Sequence, residues 1–364
     1  MISDISSSSS SLTSSSSSSD EENLPQPRPK NENYVEQTVP QYNNTVFLEH
    51  FRVSRNVFQG IVERFRQSDQ FNIGHSGGFG KLDAEYHILV FLWFAGHQTA
   101  SFRDVSDRFN ISISSLFRII KRVTAFLSNL GRDLITWPSN EEKNIIEGHF
   151  EARGFPGVVG VIDGSHIKID KPSEDADSYL NRKHFFSIQM QVVCDHQRKI
   201  RDIFIGYPGS VHDSRVFRTS PLSTQLEEKC GRNRYILGDS GYPCTRYLLT
   251  PYRDRGELTA VQSNYNRKLA SSRYIIEHCF GILKQKFRQL YHVKFRSIED
   301  ICHFIRACCV LHNLALNDEF PVEEGPNLNE GGNEEVLLEI EGDGHYDDRN
   351  GLEMRNYVSR MLNF

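Results

Sequence analysis

The sequence predicts an α/β protein in which a mostly helical region precedes a strand-rich half. Three observations carry this. Apolar residues between positions 82 and 130 recur at the spacing of a helix face. From residue 157 three consecutive stretches, GVVGVIDGSHIKI, FFSIQMQVVCD and IRDIFIGYP, are rich in β-branched and aromatic residues, and HQRK between the last two reads as a hairpin connection. A helical stretch, a short fourth strand at Tyr235, Ile236 and Leu237, and a long helical segment from 264 to 289 then follow.

Along the chain this gives four segments: 1–45, 46–150, 151–316 and 317–364. Residues 1–45 are Ser-rich, then acidic, then Pro-rich, with almost nothing to bury, and are expected to be a disordered tail. The Ser run lacks the apolar stretch of a secretory signal and no window approaches a membrane span, so a soluble intracellular protein is expected. Seven cysteines, odd in number and without a Cys-x-x-Cys pair, argue against a disulfide framework and fit a reducing compartment.

Charge is unevenly placed. The whole chain is at −5, yet residues 1–24 and 318–348 carry acids and neither Lys nor Arg, which leaves residues 25–317 with 39 basic and 30 acidic side chains. A body near +9 suits a polyanionic partner. The acidic segment 317–364 is expected to be mostly disordered, although GLEMRNYVSRMLNF at its end has the pattern of a short amphipathic helix with Leu352, Tyr357, Val358 and Leu362 available for packing.

Within 46–150, residues 82–96 read as a buried helix, 101–109 as a short helix capped by Ser101, and 112–130 as a longer one. In the last, Leu116, Ile119, Ile120, Val123 and Leu127 form the core stripe. Arg118, Lys121 and Arg122 fall on more polar faces, where they suit the second helix of a helix-turn-helix touching bases or phosphates. A plain three-helix bundle with a basic surface is the competing reading.

Chemistry concentrates on acids. Asp163 follows the apolar run Val158 to Ile162, and Asp239 follows Tyr235 to Gly238, so each reads as a carboxylate at the end of a buried strand. Glu277 lies among Ile276, Phe280, Leu283 and Phe287, the spacing of one helix face. Two strands and a helix can bring these three carboxylates together. Hard oxygen ligands of this kind suit Mg²⁺ or Mn²⁺, and a pair of such ions activates water and stabilises the leaving oxygen of a phosphodiester. Blander readings stand beside this one: Asp before Gly is a common turn, Glu277 can pair with Arg273 one helical turn earlier, and Asp213 can cap the helix suggested by SRVFRTSPLSTQLEEK.

Neighbouring residues add weaker signals. His166 and Lys168 share a face of the first strand opposite Ile167 and Ile169, and either contact phosphate or face solvent. His212, beside Asp213, either tunes a ligand or is a bonded structural His. Lys284 and Lys286 place positive charge near a bound strand or form an ordinary solvated helix end. Cys302, His303, Cys308, Cys309 and His312 lie in a helix apolar on nearly every face, where small buried cysteines and a bonded His account for them better than zinc.

Read together, IDGSHI, GYPGSVHDSRVF, LGDSGYP and NRKLASSRYIIEHCFGILKQKF resemble the PIF/Harbinger transposase family in motif and order, over roughly Lys81 to Leu316. The resemblance implies a ribonuclease-H-like DDE nuclease domain with its triad on Asp163, Asp239 and Glu277, and with Asp213 as a further metal ligand. It also implies a helix-turn-helix region ahead of that domain, a divalent cation (Mg²⁺ or Mn²⁺) as cofactor, and DNA as substrate. A Myb-like DNA-binding partner and action in the nucleus follow from it too, with transesterification into target DNA as a possible second step; a homo-oligomer is left open. The alternative is a domesticated DNA-binding or scaffold protein that keeps the fold and has stopped cutting.

Overall fold

The computed structural model describes residues 29–72, 81–320 and 347–362. Part of the expected N-terminal tail lies outside them, but residues from 31 onward depart from that expectation. Tyr34–Thr38 and Val39–Gln41 form two short helical turns, with Tyr34 and Val39 buried. The reason is local: Tyr34 packs edge-on to Phe109 at 5.3 Å between ring centres, and the Arg108 guanidinium covers it at 5.0 Å. A short aromatic anchor in a polar context leaves almost no compositional trace.

Helices α1 (Asn44–Phe51), α2 (Arg55–Arg66) and α3 (Asp69–Asn72) lead to α4 (Ala84–Gly96), whose residues from His87 to Gly96 are all buried. Next come α5 (Phe102–Arg108) and α6 (Ile113–Leu134). Ser101 caps α5 in a reciprocal capping box with Asp104, and Ser112 caps α6, so both starts lie where the sequence puts them. α6 runs four residues beyond the expected end, and α7 (Asn140–Ala152) follows through another capping box at Ser139.

The sheet contains β1 (Val158–Lys168), β2 (Ser187–Cys194) and β3 (Ile200–Pro208), with the single turn α8 (Ala176–Tyr179) between the first two. The helix expected after β3 is two helices, α9 (Asp213–Thr219) and α10 (Pro221–Cys230). Pro221 causes the break, since the residue before proline avoids helical ψ and Ser220 is extended at ψ 147°. β4 (Tyr235–Leu237) and the two-residue β5 (Leu248–Leu249) complete a five-stranded sheet in the order β3-β2-β1-β4-β5. β1, β2 and β3 are antiparallel neighbours, whereas β4 is parallel to β1 and β5 to β4. The chain thus has a mixed α/β architecture.

Long helix α11 (Ala260–Lys286) and α12 (Ile298–Leu314) cover one face of the sheet. The two faces of the sheet have separate cores: Val161, Ile167, Met190 and Val192 join the large core that contains Cys279, Leu283 and Cys309, while Val159, Ile162, Val193 and Ile236 join Phe217, Leu222 and Leu226 from α9 and α10, and a register shift between Val158 and Gly160 puts Val159 and Val161 on opposite sides. In α12, Cys308, Cys309 and His312 are buried; His312 Nε2 lies 2.9 Å from the Arg198 carbonyl and 3.6 Å from Cys279 Sγ.

Two features revise the segment plan. α6 packs along α12, and one apolar cluster runs from Tyr34 to Leu362, so no gap in packing marks the expected boundary near residue 150. The last part of the acidic segment is also folded: α13 (Arg349–Met361) docks on β5 and α11 with Val358 and Leu362 buried, while Tyr357 stays 58% exposed. Among the described residues no helix is long and apolar enough to cross a membrane.

Candidate active site

Register places the first two acids. Val161 of β1 pairs in parallel with Leu237 of β4, so Asp163 and Asp239, each two residues further on, come side by side; Asp239 lies past the end of β4, whereas Asp163 is not at a strand end as expected but within β1, paired with Val192 of β2. Asp163 Oδ1 accepts from the Gly164 amide at 2.8 Å and its Oδ2 from Arg273 Nη2 of α11 at 3.0 Å. Asp239 Oδ1 accepts from the Gly241 amide at 2.9 Å, the Asx turn that its Gly-rich context suggests.

Asp213 joins them from the opposite face. It is the first residue of α9 rather than its cap, a position held by His212, and its side chain turns to the sheet, where Gln189 Nε2 donates to Oδ1. Gly164 makes room for this. A β-carbon there would collide with the Asp213 carboxylate and lie 3.2 Å from Gln189 Nε2. A β-carbon on Gly241 would sit 3.1 Å from Asp239 Oδ1 and 3.4 Å from Asp213 Oδ2, so these two carboxylates flank one spot.

Electrostatics record the crowding. Burial pushes the Asp163 carboxyl up to about 7; Arg273 opposes the rise, while Asp239 and Asp213 add to it. Tyr242 is buried beside the three acids, with a hydroxyl that has no hydrogen-bond partner among the described residues, and burial followed by Asp213, Asp163 and Asp239 drives it far above the ordinary tyrosine range.

Glu277 stands apart from this group. Arg273, Glu277 and Lys284 share one face of α11, and that face meets β1, because Arg273 bonds Asp163 and Lys284 Nζ donates to Ser165 Oγ at 2.8 Å and the His166 carbonyl at 3.2 Å. Glu277 therefore projects from the helix flank that faces the carboxylates, but its side chain is exposed. Arg273 is committed to Asp163. Gly281 has open space where a side chain would be. Among the described residues no three His, Cys, Asp or Glu side chains are close enough, as they stand, to hold one metal ion. The donor set nevertheless fits a hard divalent cation in kind, since three oxygen-bearing acids converge on a locus where their mutual repulsion calls for positive charge.

The other expected residues divide. Lys284 is tied to β1, and burial lowers its amine to about 8; Lys286 is buried, donates to the Ala315 carbonyl at 2.6 Å and is likewise lowered to about 8, so neither forms a solvated helix end. His166 Nδ1 lies 3.1 Å from Ser187 Oγ, Arg182 Nη2 lies at hydrogen-bond distance, 2.6 Å, from the ring nitrogens of His212, and Lys168 is exposed. On α6, Arg118 and Lys121 are exposed and Arg122 is half-buried, far along the chain from the acids. Sequence reasoning missed Gln189, Tyr242 and the true partner of Arg273. Gln189 and Gln191 are a readable anomaly, two amides in a wholly buried strand whose other residues after Ser187 are apolar.

The fold is a mixed α/β domain consistent with a DDE nuclease domain, and comparison with known proteins gives its family. Residues 162–313 match the family model described as DDE superfamily endonuclease. The chain is 32% identical to Putative nuclease HARBI1 of Mus musculus over 251 residues, which cover 67% of this chain and 71% of that protein. It is 25% identical to Protein ALP1-like of Arabidopsis thaliana, covering 78% and 75%, and 22% identical to the Probable transposase for insertion sequence element IS702 of Microchaete diplosiphon, covering 65% and 84%. No solved structure matches it significantly. The chain belongs to the Harbinger transposase-derived DDE family.

Proposed function

We propose that this protein is a divalent-metal-dependent nuclease that cuts DNA phosphodiester bonds, on a ribonuclease-H-like core with a helix-turn-helix at α5 and α6. One observation carries the reading: carboxylates from β1, α9 and the loop after β4 are gathered around Gly164 and Gly241, where burial first, and then Asp239 and Asp213, push the Asp163 carboxyl up to about 7. Such crowding costs stability and is the kind of arrangement found where charge will be compensated by a cation. The sheet order, three antiparallel strands followed by two parallel ones, supports the ribonuclease-H-like assignment.

Asp163, Asp239 and Asp213, with Glu277 from the facing helix, would hold the cations. When bound there, divalent ions supply Lewis-acid activation of water and neutralisation of charge on the scissile phosphate and the leaving oxygen. The chain's own contribution is placement. Gly164 lets Asp213 lie over β1, the Gly241 amide fixes Asp239, and Arg273 orients Asp163 while joining α11 to the strand that carries it. No side chain acts as a covalent nucleophile. The basic body and the exposed Arg118 and Lys121, with Arg122 beside them, support contact with DNA phosphates or bases, assisted by a Myb-like partner in the nucleus.

A second reading, a DNA-binding or scaffold protein that has stopped cutting, draws on the exposed Glu277 and on the Arg273 guanidinium that already neutralises Asp163. Nicking of supercoiled plasmid in Mg²⁺ or Mn²⁺ separates the two. Cutting abolished by Asp239→Asn and by chelator supports the nuclease. A folded wild type that binds DNA without metal, binds equally well as Asp239→Asn, and never cuts supports the scaffold.

A further inference from the structure

A cavity of about 220 Å³ opens one residue past Asp239. Ser240 and Tyr242 of the Asp239 loop form one wall, Thr250 and Arg253 after β5 another, and Arg355 and Asp347 at α13 the third. Its volume exceeds the roughly 150 Å³ that admits a benzene ring.

Donors outnumber acceptors here. Arg355 is only 9% exposed, and two contacts hold its guanidinium: Nη1 donates to the Pro251 carbonyl at 3.0 Å, and the plane lies 4.3 Å from the centre of the Tyr252 ring. Its buried Nε has no hydrogen-bond partner among the described residues, and neither does the Tyr242 hydroxyl, on a side chain 2% exposed. Buried donors left in this state cost free energy and mark a place where an acceptor fits. Asp347, the one carboxylate of the wall, is committed to the backbone, where its Oδ1 accepts from the Cys244 amide at 2.9 Å. Two arginines and four hydroxyl-bearing side chains, Tyr252 included, therefore line the cavity with a single engaged acid, and a tetrahedral oxyanion matches that set.

The arrangement depends on a docked helix. A β-carbon on Gly351 would come within 2.5 Å of the Cys244 carbonyl oxygen and the Thr245 Cα, so α13 lies directly on the backbone ahead of β5. The Tyr252 hydroxyl donates to Asn356 Oδ1 at 2.7 Å and lies 3.0 Å from Ser359 Oγ, which fixes the turn of α13 that bears Arg355.

We propose that this cavity binds a backbone phosphate of the DNA strand adjacent to the bond cut at the carboxylates, with Arg355 of α13 and Arg253 as its charged ligands. The location beside Asp239 favours DNA over free phosphate, and in that choice of source the proposal rests on the nuclease reading.

The test is DNA binding, read apart from cutting. Fluorescence anisotropy of a labelled short duplex in chelator, over a series of salt concentrations, gives the slope of log affinity against log salt. Each phosphate contact contributes about 0.9 to that slope. Arg355→Gln and Arg253→Gln should each lower its magnitude by about one and weaken binding several-fold, while Arg360→Gln on the exposed side of α13 leaves it unchanged. Arg253 is exposed, so its variant keeps the fold if Arg355→Gln does not. Wild-type slopes in the Arg355 and Arg253 variants, or a wild type with no salt-dependent DNA binding, overturn the proposal. A thermal shift with inorganic phosphate that Arg355→Gln abolishes, without any effect on DNA, assigns the cavity to free phosphate and overturns the DNA source. Loss of slope in a protein that never nicks plasmid upholds the DNA-phosphate site at Arg355 and Arg253 and removes the nuclease reading alone.

Discussion

Arg273 of α11 and Asp163 of β1 form an ion pair at 3.0 Å, with side chains 15% and 16% exposed. With the Lys284 ammonium on Ser165 and the His166 carbonyl, it ties the long helix to the strand that carries the central acid. Removing the cation leaves a largely buried carboxylate beside two others, and breaking such pairs is costly. Arg273→Gln should destabilise the protein by about 2 kcal/mol in denaturant unfolding at pH 8, discounted for partial exposure. The loss should shrink at pH 5, where Asp163 is protonated in the folded state. An equal loss at both pH values would show that the pair is packing rather than charge.

Asp239→Asn should stabilise. The folded pKa of Asp163 lies above its unfolded value, so the stability linked to this group is present at low pH and is lost as pH rises towards about 7. Asp239 is one cause of the rise. Its neutralisation should gain about 1 kcal/mol above pH 7 and almost nothing near pH 4, measured as thermal unfolding across pH. A variant that abolishes nicking and loses stability at every pH would point to misfolding instead.

Gly164→Ala should cost about 1–3 kcal/mol, because a β-carbon must push the Asp213 carboxylate and Gln189 aside. The cause is testable by a double-mutant cycle. In an Asp213→Ala background the same substitution should cost less than half as much, since the obstructing group is gone. Equal costs in both backgrounds would place the strain elsewhere.

Lys286 is charged in both states below about pH 8, where its buried ammonium is a full penalty on the fold. Between pH 8 and its unfolded pKa of 10.5 the folded protein releases that proton first, so stability rises with pH. Against Lys286→Met, wild type should gain up to about 3 kcal/mol across this window. The ionisation of buried cysteines, which lowers stability in the same range, cancels in that difference. A flat difference would mean that the amine reaches solvent.

Much of this was legible in the sequence because local chemistry dictated it. Ser101 and Ser112 start helices wherever a hydroxyl can accept from the third residue on, and no tertiary contact is needed. The apolar runs before Asp163 and Asp239 read as buried strands for the same reason, and their adjacency followed from the need to bring two acids together. What escaped depended on distant partners. Tyr34 is an anchor only because Phe109 and Arg108 receive it, and the tail of 1–45 therefore ended too late. The amphipathic pattern of α13 was readable, but the surface it covers was not, because β5 is only two residues long. Arg273 seemed a partner for Glu277 on helical spacing, but a charge prefers the more buried acid across the interface to an exposed one on its own helix.

The packing of α6 along α12 has a consequence for how such a protein would measure its substrate. A reading helix on a flexible tether lets the cut wander over several base pairs. Here α6 and the strands bearing Asp163 and Asp239 are parts of one solid, joined through a continuous apolar interior. On the nuclease reading proposed above, anything gripped by α6 would be held at a set separation from the acids, and the molecule would act as a caliper whose jaws do not slide. The span between the contacted sequence and the broken bond would then be built into the fold, and lengthening a surface loop would not change it.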